Sequence, residues 1–520
     1  MKIFHIYYSL VLFISFNQVL SSKVDLSFAK KEIMEIEDQC LNRPYYKRAE
    51  PFYFVPALRA KLKQVGDKYS FTSRCFGRNI VFFKELSRDK MTFTLQNFNK
   101  TETFCSEIFF FHTSDHNYFQ FVAFQGEHEI VIKRITQDDK DEIAVNGVKL
   151  YNFCGSIMTT LKSIYKTFKA FYGGLGLDPN AKNPTYRSTI PRDMEKINLR
   201  ILDLFNHYTL ERRNNTIVNI NKTIIKSGDA LVIARMDGID PMIMLGSGGH
   251  IGHCCVCTWM NDTLYVIEAQ DAPYWPRKGV QRNKWEDWVQ WAHNADFNVA
   301  LLPLKEEYRE KLNVTKANAW FENEVEGLNY GFHNFLFAWF DTPDRNLPKM
   351  SSNELLELLA SLLSKIYPKL SDLLVTEAVN MRLGTKNLTL QQAIAESARR
   401  GKSFEDLVTE PEIEGYEYSD GLNYVCSCFV IAYYEHGGLF GDLEILPNEF
   451  TPRDVYTLGI FDTNYERPQE CIDDNPELPY CQITGKFVLK LENYSSIEPY
   501  SHMNERCPSQ GPDFIRDEGC

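Results

Sequence analysis

The stretch Asn423-Tyr-Val-Cys-Ser-Cys-Phe-Val-Ile-Ala-Tyr-Tyr434 constrains the fold more than any other. From Phe429 to Tyr434 it carries no charge, and Gly437-Gly438 ends it. It reads as the start of a buried helix with a cysteine on its first turn. A helix N-terminus carries partial positive charge and unpaired N–H groups, so a thiolate there is stabilised. Ser427 suits that N-terminus. Cys426 is therefore a candidate nucleophile; a packed core cysteine, or half of a disulfide, is the alternative.

A chain of 520 residues allows two or three domains. Met1–Ser22 has the layout of a secretory signal: Lys2, an apolar stretch from Ile3 to Phe16, and the small-residue site Val19-Leu-Ser21. No later run reaches the roughly 20 apolar residues that span a bilayer. The expectation is a mature protein of the secretory pathway, extracellular or in a lysosomal or vacuolar lumen, with no transmembrane anchor. Sequons at Asn99, Asn214, Asn221, Asn261, Asn313, Asn387 and Asn493 agree with that. The net charge of −12, with no long basic block, argues against nucleic acid and anionic membrane as partners. Thirteen cysteines is an odd count, so at least one is free or pairs between chains. Cys40, Cys75, Cys105 and Cys154 lie early, and Cys471, Cys481, Cys507 and Cys520 lie late; each group could form two disulfides. The leftover thiol belongs to the central set: Cys254, Cys255, Cys257, Cys426 and Cys428.

Residues 23–185 form a β-rich first domain. Its strands are Ile80–Phe83, Met91–Leu95, Tyr118–Val122 and Glu129–Ile132, in an antiparallel sheet or small barrel, with a helix from Ser156 to Tyr172. Leu177–Pro191 suits a linker, and Asp193–Leu210 suits an amphipathic helix. Ser227–Ala234 turns into a buried strand. His250–Trp259, the turn Met260–Thr263 and Leu264–Ala269 make a hairpin. Residues 350–405 form a helical insert, with one wide apolar face built on Leu355, Leu356, Leu358, Leu359, Leu362 and Leu363. Residues 466–520 form a Cys-rich tail with one strand at Lys486–Leu491.

Alternation along the first hairpin strand puts His253, Cys255 and Cys257 on one face and Cys254 and Val256 on the other. Glu268 returns roughly opposite His253. A carboxylate beside an imidazole fixes its tautomer and stabilises the imidazolium. With the helix-borne thiol of Cys426, the set is nucleophile, base and orienter. A metal site is the rival, since His250-x-x-His253-Cys-Cys-x-Cys257 is rich in ligands. Alternation divides those ligands between two faces, however, and the C-x-x-C spacing is missing. His250 reads as a polar residue at a strand start, able to line the cleft. Cys428 points away from Cys426 and packs. The aromatic loop Asp271–Pro276 could wall a cleft or pack on the helix carrying Trp285, Trp288 and Trp291.

These motifs, in this order, resemble the circularly permuted NlpC-type papain-like family, which includes YiiX-like proteins and is related to lecithin:retinol acyltransferase. The resemblance rests on Gly228-Asp229, Gly252-His253-Cys254, Val266–Ala269, Gly279-Val280, Gly327-Leu-Asn-Tyr330 and Tyr424–Val430. It covers residues 190–465 without the insert. It departs at Gly252, where a small polar residue is usual, and at Cys428, where an acid is usual. The resemblance implies an α+β fold: a permuted papain-like core, with an antiparallel sheet and a nucleophile helix, preceded by the β-rich domain. It implies Cys426 as nucleophile, His253 as base and Glu268 as third polar residue. Tyr330, Asp229, His250 and Tyr424 would serve as substrate or oxyanion groups. The implied function is a cysteine hydrolase or acyltransferase acting on a peptide, amide or lipid ester, with no metal or organic cofactor. A non-catalytic secreted glycoprotein using the same scaffold for binding is the alternative.

Overall fold

A computed structural model of the chain describes residues 34–35, 50–171, 189–214, 216–270, 279–332, 353–409 and 423–504. The expected signal segment, most of the 177–191 linker, the loop Asp271–Pro276, and Cys40, Cys507 and Cys520 lie outside them. The architecture is α+β.

The first region is a two-sheet sandwich. One sheet holds β1 (Met34–Glu35), β3 (Lys68–Phe71), β4 (Phe76–Leu86), β5 (Lys90–Lys100) and β8 (Gly126–Lys133). The other holds β2 (Ala57–Leu62), β9 (Val148–Asn152), β6 (Glu107–His112) and β7 (Asn117–Val122). Phe71 meets Phe109, and Phe93 meets Phe111, across the space between them, at ring-centroid distances of 6.1 and 5.2 Å. Burial of such rings is the main source of cohesion between two sheets. The disulfide Cys75–Cys105 joins the connection before β4 to the connection before β6, and Cys154 is disulfide-bonded as well.

The second sheet is covered on both sides. Leu58, Phe110 and Tyr151 on its outer face pack against Leu358 and Leu362 of the helix Asn353–Ile366. The helical insert therefore docks on the β-sandwich. A second contact joins the helices Gln137–Asn146 and Leu390–Arg399, with Arg399 2.9 Å from Asp138. The Phe404 N–H donates to Asn146 Oδ1 at 3.1 Å.

The third sheet runs β13 (Gly279–Lys284), β12 (Thr263–Gln270), β11 (His253–Met260), β10 (Ala230–Ala234), β14 (Asn298–Leu302) and β15 (Cys481–Thr484), antiparallel throughout. Asn261 and Asp262 form the two-residue turn between β11 and β12, with φ of 46° and 59°. Two positive φ values mark the turn whose twist suits a tight hairpin. The helix Cys426–His436 is buried along nearly its whole length and lies against β11 and β12. Tyr433 donates to Asn318 Oδ1 at 2.9 Å and Tyr434 to the Gly228 carbonyl at 2.8 Å.

The tail departs from expectation. Its strand is Cys481–Thr484, not Lys486–Leu491; Gly485, at φ 116°, breaks the chain between the two. The disulfide Cys471–Cys481 anchors that strand. Leu478, Tyr480, Phe487 and Leu489 belong to the same apolar core as the buried helix, so this part of the tail completes the third sheet rather than following it.

The sandwich–insert junction buries Glu142, Lys149 and Glu357. Lys149 pairs with Glu357, and Glu142 accepts from the Ser114 N–H at 2.7 Å and from its hydroxyl. Burial, then the Glu357 charge, pushes the Glu142 carboxyl up to about 7 from 4.5. Lys365 faces the same pocket from the insert. A carboxyl raised in the folded state contributes its full share below about 4.5 and loses it as pH climbs through about 7, so acid tightens this junction. Glu142→Gln keeps an acceptor for Ser114. It should exceed the parent in stability by about 1–3 kcal/mol near neutral or mildly alkaline pH, and the gap should close near pH ~5. Denaturant melts at several pH values read this; a gap independent of pH would refute the assignment.

Candidate active site

Three elements meet at His253. The ladder pairing Val256 with Ile267 continues to set Glu268 opposite Cys255, with His253 a diagonal step along the same face. Glu268 Oε2 lies 2.8 Å from His253 Nε2 and accepts from the Cys255 thiol at 3.2 Å. Its other oxygen accepts from Trp288 Nε1 at 2.9 Å and Asn283 Nδ2 at 3.3 Å. Glu268 is fully buried, so these four donors replace its water.

The helix Cys426–His436 brings Cys426 beside the same imidazole, close enough for each group to shift the other's titration. The cap residue is Val425, which offers no side-chain acceptor; Ser427 sits inside the first turn instead. The helix therefore presents its own N–H groups toward the sulfur. Cys254, on the opposite face of β11 from Cys255, bonds to the Cys426 sulfur through both its thiol and its backbone. That bond comes first in holding the Cys426 thiol well below its ordinary value; burial opposes it, and the His253 charge adds to it. Burial pushes the His253 ring down, but the Cys255 sulfur, an acceptor 3.4 Å from Nε2, and the Cys426 sulfur outweigh this and hold it well above the ordinary histidine range. Of those two sulfurs Cys426 is the charged one, because burial and the Glu268 charge keep Cys255 a neutral thiol. The two directions together match a thiolate–imidazolium pair. Cys254, Cys255, Cys257, Cys426 and Cys428 are all free and buried.

The other candidates divide. Tyr330 bridges Tyr424, and the Gly331 N–H donates to the Tyr424 carbonyl at 2.9 Å, so both tyrosines flank the entry to the Cys426 helix. Asp229 stands elsewhere. It accepts from the Lys226 and Leu304 N–H groups and from Arg309 Nη2 at 2.7 Å, and it holds a turn together. His250 stacks on Tyr208 with centroids 3.8 Å apart, and its Nδ1 bonds the Lys490 carbonyl; it ties down the C-terminal segment rather than lining a cleft. Cys428 packs toward the Asn448 and Phe450 carbonyls, as expected.

Sequence reasoning missed Cys255, Asn283 and Trp288 as partners of Glu268. Alternation on β13 was the usable signal for Asn283, since Gln281 pairs with Glu268 and Asn283 shares its face. Asp240 was missed too. Its side chain fills the space a Cβ on Gly252 would need, at 2.4 Å, which explains the glycine before His253. Burial raises the Asp240 carboxyl well above its usual range.

His253 Nε2, Cys255 Sγ and Glu268 Oε2 lie within 4.8 Å of one another, a donor set a cation could use. The hydrogen bonds already described also satisfy these groups among themselves. No protein-family model matches the chain, and no curated protein or solved structure is significantly similar to it.

Among the five free thiols of the described residues, Cys426 should be the one alkylated by iodoacetamide in the folded protein. Its rate should stay nearly level from about pH 8 to about pH 6, where an ordinary thiol slows about tenfold per unit. His253→Asn should restore the ordinary decline. Peptide mapping of the labelled protein checks this; a break near pH ~8.5 in the parent would contradict the ion pair.

Proposed function

We propose that this chain is a cysteine hydrolase or acyltransferase with a permuted papain-like core, acting on an amide or ester bond. The carrying observation is a thiol outside any disulfide, on the first turn of a helix whose cap offers no side-chain acceptor, beside an imidazole that a buried carboxylate holds at 2.8 Å. In chain order the imidazole strand and the carboxylate strand precede the nucleophile helix, the order that the permuted family resemblance implies.

Cys426 attacks the carbonyl carbon and forms a tetrahedral anion. The Cys426 N–H and a second donor, for which Tyr330 is the candidate, stabilise the oxyanion. His253 passes its proton to the leaving amine or alcohol, leaving a thioester. Water or an acceptor alcohol or amine then gives its proton to His253 and takes the acyl group, freeing the thiol. Glu268 keeps the ring oriented and stabilises its charged form.

We place the protein in the secretory pathway. Two complete disulfides support this. So do the seven sequon asparagines, all exposed, four of which occupy left-handed turn positions (Asn99, Asn261, Asn387, Asn493). A binding protein on the same scaffold would leave Cys426 no task, and a crosslink that would retire it is absent from the described cysteines.

The test is labelling by a panel of amide- and ester-derived acyl probes. Cys426→Ala should abolish it, His253→Asn should lower it by about 10²-fold or more, and Glu268→Gln by about tenfold or more. Cys428→Ala should label like the parent. Equal labelling of the Cys426→Ala and Cys428→Ala variants would end the proposal.

A further inference from the structure

The helix Ile157–Phe171 is folded inside out. Its buried side chains are Thr160, Ser163, Thr167 and Ala170. Its outward face carries Met158, Leu161, Tyr165 and Phe168, which are 61%, 43%, 56% and 42% exposed. The spacing of three, four and three residues makes one continuous stripe along the helix.

The inverted orientation is built in by hydrogen bonds. The Ser163 hydroxyl donates to the Glu50 carbonyl at 2.5 Å and accepts from the Phe54 N–H at 3.0 Å. The Thr167 hydroxyl accepts from the Phe52 N–H at 2.8 Å. Asn198 reaches the Ala170 carbonyl at 3.2 Å from the neighbouring helix. Turning the apolar stripe inward would break these bonds and strand their partners. The stripe faces out because the polar side is committed to the turn at Glu50–Phe54.

Charge indicates what covers the stripe. The fifteen residues contain Lys162, Lys166 and Lys169 and no acid, in a chain whose net charge is −12. Lys169 pairs with Asp193; Lys162 and Lys166 flank the stripe. An apolar stripe bordered by lysines fits an interface that is apolar within and anionic at its surface. A second copy is the rival occupant; an anionic bilayer supplies both features together, an apolar interior and a negative surface. We infer that this helix is a docking surface for an anionic phospholipid bilayer, on which the protein lies without crossing it. The overall acidity argued against such a partner; the local arrangement reverses that reading for this face.

Vesicle flotation of the full-length protein tests it, with phosphatidylcholine vesicles prepared with and without phosphatidylserine. Binding should require phosphatidylserine and weaken with added salt. Leu161→Glu with Tyr165→Glu should cut affinity more than tenfold. Lys162→Glu and Lys166→Glu should cost at least about fivefold each. All four positions are on the surface of the helix, so an unchanged thermal midpoint confirms that the variants fold. Failure to float, equal flotation with both vesicles, or binding indifferent to these substitutions would overturn the assignment. A concentration-dependent dimer abolished by Leu161→Glu would overturn it in favour of a second copy. Flotation needs no turnover, so this inference and the thiol chemistry stand or fall separately.

Discussion

A carboxylate sealed from water must find its donors inside the protein, and Glu268 finds four. They come from three elements: His253 and Cys255 from β11, Asn283 from β13, and Trp288 from the helix Trp285–Asn294. The register of three strands and the seat of one helix therefore converge on one side chain. A slip of one residue on β12 would turn Glu268 to the other face, exchange it for Ala269 or Ile267, and leave Trp288 and Asn283 without an acceptor. The cost of an orphaned buried polar group, about 1–3 kcal/mol each, is what makes this register unique. The same four bonds aim Oε2 at the imidazole, so the fold's specificity and the site's geometry come from one set of contacts.

The thiol side follows a different logic. Burying an ion pair is expensive, and a pair of this kind survives only where both partners are otherwise supported. Val425 leaves the helix N-terminus uncapped, which sacrifices about 1 kcal/mol of helix stability relative to a Ser or Asp cap. That vacancy leaves the helix dipole and N–H groups to serve the Cys426 sulfur. Cys254 contributes its thiol and backbone from behind. The strand alternation that sends Cys255 toward Glu268 and Cys254 toward Cys426 lets two adjacent cysteines tune opposite ends of the same imidazole-centred array. Their burial keeps both as neutral thiols, so among the three sulfurs Cys426 is the one favoured to carry negative charge.

Much of this was legible in the sequence. The charge-free run after Cys426 gave the buried helix, and the period-two pattern around Asn261-Asp262 gave the hairpin, because both signals depend only on local chemistry. The exact pairing was not legible: His253 and Glu268 meet on a diagonal, since register is set by the turn and by Trp288, which is distant along the chain. Asp229 and His250 looked functional because acids and histidines are the common currency of sites. Their roles depend on Arg309 and Tyr208, partners that no local pattern reveals. The tail was misjudged for a related reason: Phe487 and Leu489 are apolar enough for a strand, but Gly485 and the Cys471–Cys481 bond decide which segment pairs. The run Ile108-Phe-Phe-Phe111 carried an unused clue. It lacks alternation, as a strand covered on both faces should, and Phe110 is the residue that receives the insert.

That double coverage bears on how the site is held. In the sequence Tyr330 precedes the insert and Tyr424 follows it, and these two residues are bridged to each other. The bridge lies beside the nucleophile helix, while the helix Asn353–Ile366 of the insert packs on the β-sandwich. A disturbance at the Leu358–Phe110 contact has a covalent route to Tyr424, two residues from Cys426. Acid strengthens the anchoring by removing the Glu142 charge next to Glu357, and the thiolate–imidazolium pair does not depend on alkaline pH to form. Both features therefore favour the same, mildly acidic, condition: the junction is firmest where Cys426 is still ionised and an ordinary thiol is not.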